Sequence, residues 1–328
     1  MNHRLSRRSL LCGAATSLAT PARSLTARPS SRLFLAHALP PSHPVHAAME
    51  RFASLVAGRS SGTWRIELFA DGQLGQEREL LNFASSGTLD FVKASATVVE
   101  RFAPKYHVLN LPFLFRDRAH ARAVRSSPVG QEILASTTPK GLIGLTFYEA
   151  GSRSFYGRKP INHPDDLKGL RIRIQPSPTM ARLVTLLGAQ PIQLAWDLTS
   201  RALQTGIVDG AENSISALTL GGHGTVARYY SFDEHTTVPD VLLISARRWS
   251  SFSRAEQDLV RDAAVQSQLY MDELWAAFEA AEKRKAEGMG VVFTYPKKQP
   301  FVERTRVMRA EAGGQPEIAD LIRQIEQA

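Results

Sequence analysis

The chain has one cysteine, Cys12, among 328 residues. That excludes an intramolecular disulfide framework and any cysteine-built zinc or iron–sulfur site. No run of 18 apolar residues occurs, so no segment reads as a membrane-spanning helix. Glycine (22) and proline (18) stand at ordinary usage, which excludes collagen-like and low-complexity chains. A phosphate loop with its lysine, a dinucleotide fingerprint and a His-Glu-x-x-His pair are all missing. Gly221-Gly222-His223-Gly224 is glycine-rich but follows no strand, and reads as a break at a helix end. Gly58-Arg59-Ser60-Ser61-Gly62 has the spacing of a hydrolase elbow, but here a helix precedes and a strand follows, the reverse of what that motif needs. His37, His43 and His46 cluster, yet Pro40, Pro41 and Pro44 punctuate them and enforce no ligand geometry. No metal, cofactor or nucleophile–base pair is expected.

The charge is what the chain has in excess, +9 at neutral pH. Much of it sits at the start. Arg4, Arg7, Arg8, Arg23 and Arg28 fall within residues 1–31, which contain no acid. A basic start, a Leu/Ala/Gly/Ser-rich stretch over 10–20 and then Pro21-Ala22-Arg23-Ser24 read as an export signal; a mitochondrial-type presequence is the alternative. Ser6-Arg7-Arg8-Ser9-Leu10-Leu11 fits a twin-arginine pattern, with the general secretory (Sec) route as the other option. Removing residues 1–31 takes away five positive charges, so +9 becomes +4. No basic tract interleaved with aromatics remains, so nucleic acid is excluded as a partner. Export of a chain with no cysteine left fits the periplasm.

Beyond residue 31 helical and strand patterns alternate, which predicts an α/β fold. Val45, Met49, Phe52 and Val56 recur at helical spacing before Gly58. Strand patterns fall at 64–68, 89–92, 141–148, 170–174, 191–194, 207–210 and 241–245, and helical ones at 76–86, 118–126, 128–136, 178–187 and after Asp197. Ser253-Arg254-Ala255-Glu256 is a capping box opening a helix that no Pro or Gly interrupts over 254–287. Thirty-four residues at 1.5 Å each give about 51 Å, longer than a small domain is wide. The apolar heptads are too poor for a coiled-coil arm, so the helix is expected to cross two lobes.

Polar residues around the strands are the candidate site. Arg153 follows a strand ending near Ala150. Arg171, Arg173 and Gln175 share one face of strand 170–174, and Ile172 and Ile174 the other. An arginine in a strand needs a partner, and its planar guanidinium pairs bidentately with carboxylates. The partner is either an anionic ligand or an internal acid. Asp209-Gly210-Ala211-Glu212-Asn213 places more polar groups at a strand's C-terminal end, where α/β sheets bind ligands.

Three runs resemble one family. They are Gly169-Leu170-Arg171-Ile172-Arg173-Ile174-Gln175, then Leu187-Gly188-Ala189-Gln190-Pro191, then Ala202-Leu203-Gln204-Thr205-Gly206-Ile207-Val208-Asp209-Gly210-Ala211-Glu212-Asn213. With Gly72-Gln73-Leu74-Gly75 and Glu234-His235-Thr236, they resemble the DctP-like solute-binding proteins of tripartite ATP-independent periplasmic (TRAP) transporters over residues 32–328. The resemblance implies a two-lobed, periplasmic-binding-protein-like fold (type II-like, TRAP class) with hinge strands and a long C-terminal helix spanning both lobes. Residues 32–150 with about 239–278 would form one lobe, and 151–238 with about 279–328 the other. A small organic anion would bind between them, its carboxylate on Arg173, with Arg153, Asn213, Trp196 and Gln175 beside it. His235 and Asp240 would lie on the hinge-side wall, and Glu77 and Ser95 at the far end of the ligand. The implied partners are the small and large integral membrane TRAP permease subunits, and the chain is expected to be a monomer and not an enzyme. Tyr148-Glu149-Ala150-Gly151-Ser152-Arg153-Ser154-Phe155-Tyr156 is similar to members associated with uronates, so a sugar acid such as a uronate or aldonate is expected, with C4-dicarboxylates or keto acids as alternatives. A sensor subunit or a carboxylate-processing enzyme is the reading from another class.

Overall fold

The computed structural model describes residues 31–328. The expected export signal lies outside the described residues, apart from its last residue, Ser31, which opens the first strand. Eleven strands form two sheets among the described residues. They are β1 (Ser31–Ala36), β2 (Trp64–Phe69), β3 (Phe91–Ser95), β4 (Leu142–Tyr148), β5 (Ser152–Gly157), β6 (Arg171–Ile174), β7 (Gln190–Gln193), β8 (Gly210–Asn213), β9 (Tyr229–Thr237), β10 (Asp240–Ser245) and β11 (Val292–Thr294).

The first sheet has the order β2-β1-β3-β10-β4 and the second β11-β9-β5-β8-β6-β7. Each sheet, with its covering helices, is the centre of one lobe. In the first, β1 runs parallel to β2 and β3, which needs helical crossovers. Helix Pro44–Arg59 supplies one and buries Val45, Met49, Phe52 and Val56, the stripe read from the sequence. Strand β10 enters from the second lobe and pairs antiparallel with β3 and β4.

The chain crosses between the sheets at residues 149–151 and 238–239, and again along the long helix, Arg254–Gly288. That helix is opened by the Ser253/Glu256 capping box, and its 35 residues span about 52 Å. Val260, Ala263, Ala264, Met271 and Trp275 belong to the core of the first lobe, and Ala286 to that of the second. The first crossing is pinned to it. Gly151 has φ 75°, and a Cβ there would lie 2.9 Å from Trp275 Cζ2, so only glycine fits. Beside it, buried Glu149 accepts from Gly151 N (2.9 Å) and Arg125 Nη2 (2.9 Å).

Several expectations shift. The predicted strand 207–210 lies instead at Gly210–Asn213, and β1, β5, β9 and β11 have no counterpart in the pattern reading. Arg153 is inside β5, not in a loop after a strand. The expected assignment of 279–328 wholly to the second lobe does not hold for the last helix, Pro316–Gln327. It packs on Pro104–Asn110 and Pro128–Ala135, and Ile325 O lies 2.7 Å from His120 Nε2.

Candidate functional site

Strand β6 is flanked by Gly169, at φ 77°, and by Ser177, whose Oγ caps the helix Pro178–Leu186. Ile172 and Ile174 enter the core, which turns Arg171 and Arg173 to the other face. Arg171 sits at the half-exposed end and pairs with Asp209 (2.7 Å). Arg173 lies deeper, 1% exposed, opposite Ala211 of β8, whose small side chain leaves room for a guanidinium. Its Nε and Nη2 donate to Leu194 O, at 3.0 and 2.7 Å. Its Nη1 is buried without a partner among the described residues. Burial lowers the Arg173 pKa, partly offset by Tyr156 and Glu212. A buried cation with an unfilled donor favours an incoming anion.

Arg173 lines a cavity of ≈ 210 Å³ with Gln76, Glu77, Arg78, Gln175 and Trp196. A smaller inner cavity of ≈ 60 Å³ adjoins it, sharing Glu77, Gln175 and Trp196, and adds Lys93, Ser95, Arg153, Asn213 and Asp240. Each is below the roughly 300 Å³ at the low end for drug-sized ligands, which suits a small metabolite. The walls come from both lobes. Gln175 of the second lobe reaches Ser95 Oγ (3.4 Å) and Glu77 Oε2 (3.5 Å) of the first.

Eight of the nine candidate residues therefore meet at one cleft. Trp196 opens the helix Trp196–Gln204, and its ring lies 5.2 Å from that of His223. His223 Nδ1 is 2.9 Å from Tyr156 Oη, and burial with the nearby Arg173 lowers its pKa to about 3, so it stays neutral. The sequence reading passed over His223 as part of a helix break. Asn213 Oδ1 accepts from Arg153 Nη1 (3.0 Å) and Ser214 N (2.8 Å), which leaves its Nδ2 as the donor for a ligand.

Arg153 reaches the inner cavity but is already neutralised. Its Nε and Nη2 grip the buried Glu212 carboxylate at 2.6 and 2.8 Å. His235 is the correction. It is fully buried and lines neither cavity. Its Nδ1 lies 2.8 Å from Asp233 Oδ2, and its Nε2 3.6 Å from Glu212 Oε2. The cause is a bulge in β9. Glu234 has φ 48°, and Ser154 Oγ accepts from its N–H, which turns Asp233 and His235 inward behind Arg153. Burial opposes protonation of His235, but Asp233 and Glu212 outweigh it and push its pKa up to about 9. Burial likewise opposes the Glu212 charge, and Arg153 with His235 holds its pKa down at about 2.

Lys93 was also missed. It sits in the apolar strand β3, 1% exposed, and donates to Asp240 Oδ2 (3.0 Å) and Glu77 Oε1 (3.3 Å). The strand pattern at 89–92 stops one residue short of it, whereas the strand runs over Phe91–Ser95 and carries Lys93 at its centre. Among the described residues no group of three His, Cys, Asp or Glu is placed to hold a metal ion.

The cleft brings an unfilled buried guanidinium donor to a cavity between the lobes, and comparison with known proteins names the family. The sequence profile of the family described as "Bacterial extracellular solute-binding protein, family 7" (DctP) matches residues 35–313. The chain belongs to this family. It is a TRAP-type solute-binding protein, a binding subunit and not an enzyme. Members are periplasmic, bind small acids and work with membrane permeases. Two similar solved structures are TRAP periplasmic solute-binding proteins. That from Xanthobacter autotrophicus Py2, with bound β-D-galacturonate, is 36% identical; the match covers 90% of this chain and 99% of that one, with a TM-score of 0.88. That from Anaerococcus prevotii, with bound α/β-D-glucuronate, is 30% identical over 91% and 98%, with a TM-score of 0.89. The 2,3-diketo-L-gulonate-binding periplasmic protein YiaO of Escherichia coli is 29% identical over 70% of this chain and 71% of its own.

Proposed function

We propose that this TRAP-type protein captures a hydroxylated sugar acid, a hexuronate such as D-galacturonate or D-glucuronate. The observation that carries the reading is the buried Arg173, whose Nη1 lacks a partner beside a cavity of metabolite size. A ligand carboxylate would complete its hydrogen bonds, each worth about 1.5–3 kcal/mol net for a charged group. Glu77, Asp240, Ser95, Gln175 and Asn213 supply the acceptors and donors that a ring of hydroxyls needs. The similar proteins with bound uronates support the same class.

Closure of the lobes over the ligand excludes water and strengthens these contacts. The crossings at 149–151 and 238–239 and the long helix are the hinge, and 32–150 with 239–278 moves against the strands of 151–238. The closed monomer hands its cargo to the membrane permease subunits, after export through the Sec or twin-arginine route.

Calorimetric titration with D-galacturonate, D-glucuronate, succinate and neutral D-galactose tests the reading. The two uronates are expected to bind and galactose not to. Binding of succinate alone would move the substrate to the C4-dicarboxylates. Binding of no acid at all would remove Arg173 as the anchor.

A further inference from the structure

Lys93 is a buried cation that the carboxylate anchor does not use. Its ammonium sits between Asp240 and Glu77, and all three residues line the inner cavity. One ammonium and two carboxylates give this cluster a formal net charge of minus one; burial, helped by Asp240, raises the Glu77 pKa, and Lys93 and the Ser95 N–H work against that rise. Burial works against the Lys93 charge, but Asp240 and Glu77 more than offset it, so the lysine stays protonated. The other cation of the inner cavity, Arg153, is gripped by Glu212. The nearby His37 is held neutral by burial, its pKa lowered to about 3, and His43 is lowered likewise. No unneutralised cation therefore faces the inner cavity among the described residues. A hydroxyl entering it can donate to either carboxylate. A carboxylate entering it finds the ammonium satisfied and meets two like charges.

We infer that the Lys93–Glu77–Asp240 cluster sets specificity: it admits the hydroxylated end of a monocarboxylate and rejects a second carboxylate, excluding aldarates and C4-dicarboxylates. This rests on the reading that Arg173 holds the first carboxylate. Discrimination here works through a repulsive element as much as an attractive one.

The test titrates D-galacturonate and galactarate, which differ in having one or two terminal carboxylates, into the chain at pH 7.5. Wild-type protein is expected to bind galactarate roughly 100-fold more weakly, since like charges placed together cost several kcal/mol. Asp240→Asn and Glu77→Gln, tested separately with thermal unfolding as a folding check, are expected to shrink that ratio by roughly tenfold, because removing one carboxylate takes the cluster from minus one to zero while Lys93 keeps its other partner. Equal affinity of wild-type protein for the two acids would overturn the inference, whether or not the variants fold. So would an unchanged ratio in a folded variant. Failure of wild-type protein to bind galacturonate would instead overturn the reading of Arg173, and this inference with it.

Discussion

Arg153 and Arg173 sit in one sheet, both buried, both in strands, and their surroundings differ in one respect. Arg153 is met by a carboxylate, Glu212, on its own protein, and behind that pair Asp233 and His235 extend the alternation of charge. Arg173 is met only by the Leu194 carbonyl, and one of its nitrogens has no partner. The first region is electrostatically complete and the second is not. A buried arginine with its own acid is neutralised within the fold; one without an acid keeps a donor that an acid from outside can fill.

The largest effect should come from breaking the complete region. Glu212→Ala leaves Arg153 buried and uncompensated, which should cost about 3–5 kcal/mol in urea unfolding. A loss below 1 kcal/mol would mean that Glu212 does not neutralise Arg153. The second effect should come from the incomplete region and be opposite in kind. Arg173→Met should weaken D-galacturonate binding by roughly 100-fold, from the loss of charge-assisted hydrogen bonds. It should leave the ligand-free protein as stable as before or more so, because an unpaired buried charge has been removed. Equal loss of stability in the two variants would erase the contrast between the two arginines.

His235 gives the comparison a pH signature. Its pKa rises from 6.5 to about 9 on folding. Its contribution, measured as the stability difference between wild type and His235→Gln, should be full below pH about 6.5 and be lost as the pH rises through about 9. A difference that grows with pH would contradict the placement of His235 between two acids. The smallest effect is expected at the lobe junction. Gln175→Ala removes only contacts of 3.4–3.5 Å, and should cost about 1 kcal/mol or less of ligand binding and almost nothing in stability.

Much of this was legible in the sequence because it follows from local rules. The capping box at Ser253 and the missing breakers gave the long helix, and alternation in Arg171–Ile174 gave the face that carries Arg173. What stayed hidden is polar and buried. Strand β8, Gly-Ala-Glu-Asn, reads as the polar end of a strand over 207–210, yet Gly210, Ala211 and Glu212 are buried, and Glu212 finds Arg153 59 residues away. In strand β9 the inward positions around the bulge at Glu234 are Asp233 and His235, so the buried face there is charged rather than apolar. Lys93 is of the same kind, since its partner Asp240 lies 147 residues on. Local pattern cannot report a partner brought by the fold. Of the residues named by the resemblance to a family, Arg153 and Asn213 line the inner cavity, whereas His235 lies behind the bulge and lines neither cavity.

The most direct test of the central claim is a crystal structure of the protein with D-galacturonate bound. The account predicts a ligand carboxylate oxygen within hydrogen-bond distance of Arg173 Nη1, with the Arg153–Glu212 pair undisturbed behind it. A carboxylate held by Arg153 or Lys93, with Arg173 Nη1 still unpartnered, would contradict it.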